Sequence, residues 1–270
     1  MAGSQAETAL KGRLAEELGS ASAEQLVARL ALTGGRPDPV AATLAMLDEL
    51  GEVSGKVNRA AIEALPELDR RAGLACIVPW LDLGIALAES SGATALKYFK
   101  ESPRILGVVE DNAARLAILA TGLELAEQDA NVTVEYLRTA PQILAVLSSD
   151  QLQPWLDVGV ELTGLDVVVG LEYIRQISAV APVLALSEVR NWVAFGMKLI
   201  QPNTIGKPDY LVTMEFLRTS PAILGDIDQP AVRSKVVSLG AALAEQSPAS
   251  AIAWLAESPT LVRALPSVEW

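Results

Sequence analysis

The decapeptide EYLRTAPQIL, Glu135 to Leu144, recurs almost unchanged as EFLRTSPAIL from Glu215 to Leu224. Looser echoes lie at KYFKESPRIL (Lys97 to Leu106) and AWLAESPTLV (Ala253 to Val262). A self-similar period of about 40 residues is the sequence mark of stacked helical repeats. Working outward, the proline of the motif recurs at Pro66, Pro103, Pro141, Pro182, Pro221 and Pro259, with separations of 37, 38, 41, 39 and 38 residues. A glycine recurs at Gly84, Gly122, Gly159, Gly196 and Gly240. Fourteen residues beyond it comes an aromatic, Tyr98, Tyr136, Tyr173 or Trp254, and Phe216 follows at twenty because QPNTIGKPD (Gln201 to Asp209) is inserted.

Each unit therefore predicts a first helix carrying the glycine (Trp80 to Ala88, Trp155 to Leu162, Trp192 to Ile200) and a second carrying the aromatic. Helix caps are expected between them at Asp129, Asn131 and Ser247, the last followed by Pro248 at the first helical position. The motif proline denies the residue before it the helical conformation, so it is expected to end the second helix. A glycine inside a helix costs about 1 kcal/mol relative to alanine. Close helix approach is the expected compensation, with the aromatic fourteen residues on packing at that notch. The fold class is then all-α, an α-solenoid of the armadillo or HEAT kind with about five to six repeats of roughly 38 residues. Its units lie near 40–66, 67–106, 107–144, 145–185, 186–224 and 225–262, within a repeat domain over 36–270.

Residues 1–35 are expected to form an N-terminal helical segment, with Leu10, Leu14, Leu18, Leu26, Leu30 and Leu32 at helical spacing. The run GGRPDP (Gly34 to Pro39) separates it from the repeat domain. Val40 to Leu50 and Lys56 to Leu65 read as helices, with a turn over Gly51 to Gly55 and a stop near Pro66.

Hydrophobic residues make up 51% of the 270 but aromatics only 4%, so the apolar content is chiefly Ala, Leu and Val, suited to closely packed helices. The net charge of −12 repels phosphate backbones and anionic lipid, so nucleic acid is not an expected partner. With one cysteine, Cys76, no intrachain disulfide forms, and with no histidine the usual zinc sites and Ser-His or Cys-His catalysis are excluded. There is no GxxxxGK[ST], GxGxxG, CxxC or GxSxG motif. The N-terminus lacks an apolar signal core, and the apolar stretch Gly73 to Ala88 is too short to span a bilayer. A cytoplasmic chain without membrane insertion is expected.

Two residues after the aromatic stand Lys100, Arg138, Arg175 and Arg218, with Ala256 in the last unit. Stacking of units places these cations in a ladder able to receive an acidic or phosphorylated peptide. The same residues also complement helix dipoles and pair at i,i+3, Glu135 with Arg138 and Glu215 with Arg218. Asp82 and Asp157, in the matched segments PWLDLG and PWLDVG, are expected in the first turn of their helices and too far apart to act as a carboxylate pair.

The units W-x3-G-x2-L-A followed by [YF]-[FL]-x-x-[SA]-P-x-[IL]-L, here WLDLGIALA with YFKESPRIL, WLDVGVELT, and FLRTSPAIL, resemble the helical repeats preceding the von Willebrand factor A domain of bacterial CoxE/NorD-type proteins. The resemblance covers roughly Pro79 to Pro259. It implies a helical scaffold working with a MoxR-type AAA+ ATPase; the DxSxS metal-ion adhesion motif is not in this chain. The reading is a non-enzymatic protein interaction scaffold or adaptor with no catalytic residues, cofactor or metal. Lys100, Arg138, Arg175 and Arg218 are its candidate partner-binding residues. The alternatives are an enzyme or small-molecule binder using Asp, Glu, Arg and Tyr in a pocket under Gln201 to Asp209, and a binder of acidic or phosphorylated ligands through the ladder.

Overall fold

Fourteen helices account for nearly all of the residues described by the computed structural model, which are 2–34, 38–202 and 208–264. They pair into hairpins: α1 (Ala2–Leu18) with α2 (Ser20–Thr33), α3 (Pro39–Val53) with α4 (Gly55–Ala72), α5 (Ile77–Ser90) with α6 (Gly92–Gly107), and α7 (Asn112–Ala126) with α8 (Ala130–Leu144). The series continues with α9 (Ser149–Leu165) and α10 (Val167–Val180), α11 (Leu186–Lys198) and α12 (Leu211–Gly225), and α13 (Pro230–Ala244) and α14 (Pro248–Ala264). The fold is all-α and built of helical repeats, two helices to each. Among the described residues the β structure is one antiparallel pair, β1 (Gln201–Pro202) with β2 (Pro208–Asp209), at the base of the insertion.

The chain divides into two compact units, Met1–Pro141 and Gln142–Trp270. In the first, α3, α5 and α7 pack in succession and α4 lies against α6, while α1 rests on α2, α3 and α4. The expected boundary after residue 35 thus falls inside this unit, and residues 35–37 of the GGRPDP run lie outside the described residues. In the second unit α11 contacts α9 and α13, and α12 contacts α10 and α14. Each helix buries one stripe against its neighbours, the arrangement by which repeats that cannot close a core alone share one.

Several local expectations are overturned. Gly51 lies inside α3, and Pro66, Pro103, Pro141, Pro221 and Pro259 lie inside their helices; Pro182 alone of the six follows a helix end, just past the C-cap of α10. The sequence bias against helix before proline loses to burial of the residues after it. The Ile-Leu pairs following Pro103, Pro141 and Pro221 place Leu106, Ile143 and Leu224 fully in the core, each contributing about 1.5–3 kcal/mol. At Pro259 the carbonyl deprived of its N–H partner, that of Leu255, accepts the Ser258 hydroxyl instead at 2.7 Å. The first helices also begin earlier than their tryptophans, at Ile77, Ser149 and Leu186, so Asp82 and Asp157 sit beyond the first turn.

The glycine notches are real, but the repeated aromatic is only one of the groups that fill them. A Cβ on Gly84 would lie 2.0 Å from Phe99 Cζ; one on Gly159 would meet Ile174 first, and one on Gly196 would meet Leu217 and Phe216 equally, at 3.3 Å. Gly122 and Gly240 are filled from the preceding first helix, by Leu83 and Phe195, at 2.9 and 2.4 Å from the would-be Cβ. Leu83 and Phe195 are themselves the residues immediately before Gly84 and Gly196. The corresponding residue of the last unit, Leu239, is 49% exposed.

Three of the five repeated aromatics also hydrogen-bond 18 residues back in the chain. Tyr98 Oη donates to the Trp80 carbonyl at 3.0 Å, Tyr173 Oη to that of Trp155 at 3.1 Å, and Trp254 Nε1 to that of Val236 at 2.9 Å. The first-helix tryptophans answer: Trp80 Nε1 donates to Ser102 Oγ and Trp192 Nε1 to Ser220 Oγ, both at 2.7 Å. The serine before the motif proline is thus the acceptor that lets an indole N–H be buried.

Two of the three expected caps form, and Asn131 lies inside α8 instead. Asp129 accepts from the Asn131 and Val132 amides, and Ser247 from that of Ser250. Asp166 caps α10 at the Val168 and Val169 amides while its other oxygen accepts from Tyr210 Oη at 2.7 Å. Asp166→Ala is expected to cost about 1–2 kcal/mol in urea unfolding, and Tyr210→Phe less; equal losses would show that the cap contributes nothing. No helix among the described residues is long and apolar enough to cross a membrane.

Candidate binding surfaces

Three of the four ladder cations are held in ion pairs. Arg138 on α8 reaches back to α6, where its guanidinium meets both oxygens of Glu101 at 2.8–3.1 Å, and also meets Glu135 on its own helix at 2.9 Å. The hydrogen bonds to Glu101 hold its pKa above the usual guanidinium value. Arg218 on α12 reaches back to α10 and Glu172, at 2.8 and 3.2 Å. Glu172 is 1% exposed and is also approached by Arg175, at 3.8 Å, and by Gln176 Nε2, at 2.9 Å. A buried carboxylate is tolerated only when compensated in this way. Both long-range pairs therefore fasten one second helix to the preceding second helix of the same unit.

Lys100 is exposed on α6, and among the described residues neither it nor Arg104, one turn on, has an ion-pair partner. With Glu67, Glu101, Ile105 and Arg138 they line a cavity of about 540 Å³. The acids that neutralise the ladder, Glu101 and Glu172, were not singled out in the sequence. A signal existed for the second, because Glu135, Glu172 and Glu215 all stand one residue before the repeated aromatic.

The pair Glu215 with Arg218 does not form as Glu135 with Arg138 does, because Arg218 is drawn to Glu172. The carboxylate of Glu215 then has no cation within salt-bridge distance among the described residues, and it lies at the edge of a groove of the second unit. This groove, about 940 Å³ between α12 and α14, is otherwise lined chiefly by apolar groups, among them Leu211, Val212, Phe216, Ile223, Ile252 and Ala256. Leu211 at its mouth is 77% exposed. In the first unit a polar cavity of about 610 Å³ lies between α1, α3 and α4, where Arg59 pairs with Glu17 at 3.0 Å.

The tyrosines do not offer acid–base chemistry. Burial pushes the phenol pKa of Tyr98, Tyr136 and Tyr173 far up, so they remain neutral within the packing. Tyr210, beside the insertion, is held protonated by its hydrogen bond to Asp166. The pocket expected under Gln201 to Asp209 falls largely outside the described residues, since 203–207 are among those not described. Among the described residues no group of three or more Asp, Glu or Cys side chains could hold a metal ion. Comparison with protein-family models, with curated proteins and with solved structures returned no match.

Proposed function

We propose that the chain is a non-enzymatic scaffold or adaptor that binds another protein through the helical surface of its repeats. The observation that carries this reading is the apolar groove between α12 and α14, whose rim leaves Leu211 77% exposed. An exposed apolar cleft bordered by polar surface is the kind of patch that protein partners cover. Its repeats support the same reading, because the recurring Trp, Tyr and Ser polar atoms are consumed in holding helices together and so are not offered to a substrate. The resemblance of the Trp-Gly and Ser-Pro motifs to the CoxE/NorD-type repeats makes a MoxR-type AAA+ ATPase system the candidate source of the partner.

Tagged protein expressed at native level in its source cell should retain one stoichiometric protein through a wash at physiological salt. Recovery of the chain alone, at matched expression, would sink the scaffold reading.

A further inference from the structure

The ladder position of the last unit is Ala256, and the geometry of the preceding pair says what that change does. In α10 and α12 an arginine two residues after one aromatic (Arg218, after Phe216) meets a glutamate one residue before the preceding aromatic (Glu172, before Tyr173), at 2.8 Å. Shifted by one repeat, the same two positions are Ala256, two after Trp254, and Glu215, one before Phe216. The acid is present and the cation is missing. Ala256 and Glu215 both line the groove between α12 and α14, so the missing side chain is the one that would cross this cleft.

We infer that this groove is a docking site for an amphipathic α-helix of a partner protein, which lays its apolar face between α12 and α14 and supplies a Lys or Arg to Glu215. The inference rests on the scaffold reading and names its site and partner. Length and chemistry agree. The groove runs from Leu211 to Ile223 on α12 and from Ser247 to Ala256 on α14, about 15 Å at 1.5 Å per helical residue, or three turns of a bound helix. Apolar residues at i, i+3, i+4 and i+7 of such a helix match a bed of Leu211, Val212, Phe216, Ile223 and Ile252. Glu215 is the single charged residue of the lining, which sets the sign of the partner's charge. A partner with an acidic flank would meet a carboxylate that no cation pairs within salt-bridge distance among the described residues, on a chain of net charge −12.

The test uses the whole chain as bait for a displayed library of three- to four-turn helices with randomised faces. Enriched clones should share an i, i+3, i+4, i+7 apolar pattern with a Lys or Arg beside it. The best peptide, synthesised with a fluorescent label, should bind at least about tenfold more tightly than a scrambled peptide of equal composition. Glu215→Gln should weaken it about tenfold and flatten its salt dependence. Ala256→Arg should weaken it at least as much, by closing the groove with an internal pair to Glu215; both positions are exposed, so these variants fold. Glu110→Gln, an exposed acid in the other unit, should leave binding unchanged. Equal binding of the scrambled peptide would mean that the cationic peptide is drawn only by net charge, and would overturn the inference. So would failure to enrich any helix, or peptides insensitive to Ala256→Arg. These last results leave the scaffold reading to stand or fall on co-purification of a native partner.

Discussion

Replacing Gly84 by alanine is expected to destabilise the first unit by about 3 kcal/mol, at the upper end of what over-packing a core costs. The new Cβ would lie 2.0, 2.6 and 2.9 Å from Cζ, Cε1 and Cε2 of Phe99, so the end of the ring occupies the space it needs. Any shift of Phe99 would disturb its packing, because it is fully buried and stands edge-on to Trp80 with ring centroids 4.7 Å apart. The same substitution at Gly12, on α1, meets nothing within 4 Å and should stabilise by about 1 kcal/mol through helix propensity alone. Urea denaturation of the two variants should therefore give changes of opposite sign. Adding Phe99→Leu to Gly84→Ala should recover part of the loss. An alanine at 84 that is neutral in the wild-type background would mean that Phe99 does not sit in that notch.

Trp192→Ala should cost the second unit about 4 kcal/mol, since truncating a buried tryptophan leaves a large cavity. The indole is fully buried beside the rings of Tyr173 and Phe216, with centroids 6.4 and 6.0 Å away. Its N–H is also the donor to Ser220, whose hydroxyl is then stranded in the interior. Trp192→Phe separates the two contributions, because it keeps most of the ring but strands the serine. It should cost about 1–3 kcal/mol, and Ser220→Ala in that background should restore stability rather than lower it further. If the second change adds to the first, the serine and the indole are not partners.

The architecture was legible because it is written several times over. Six prolines at a near-constant interval, a glycine and an aromatic at fixed offsets, and Leu or Ile at helical spacing are signals that reinforce one another, and they led to an all-α repeat. The helix ends at prolines were misread because the rule concerns one residue's backbone, whereas Leu106, Ile143 and Leu224 are held by contacts the local sequence does not contain. The notch partners were misread for a related reason. Leu83 and Phe195 belong to the preceding first helix, and spacing within one unit cannot reveal a neighbour from another. At the candidate site the cations Arg138, Arg175 and Arg218 could be found by alignment, but their pairing to Glu101 and Glu172 depends on how one second helix lies on the next. The groove itself was visible only as a gap in a pattern, the alanine at 256, and it acquired meaning once Arg218 was seen to abandon Glu215 for Glu172.

The two ways of filling a glycine notch bear on whether these modules are interchangeable. Phe195 of α11 enters the space at Gly240 of α13, whereas Gly196 is already flanked by Phe216 and Leu217 of its own hairpin. A duplicated copy of α11 and α12, inserted after the original, would present Phe195 with an occupied seat and would not stack in register. Leu83 and Gly122 form the narrower counterpart in the first unit. At these two junctions, α5 with α7 and α11 with α13, the order of hairpins is thus encoded in part by the bulk of a single side chain, so shuffling there by recombination requires exchanging that side chain and its facing glycine together.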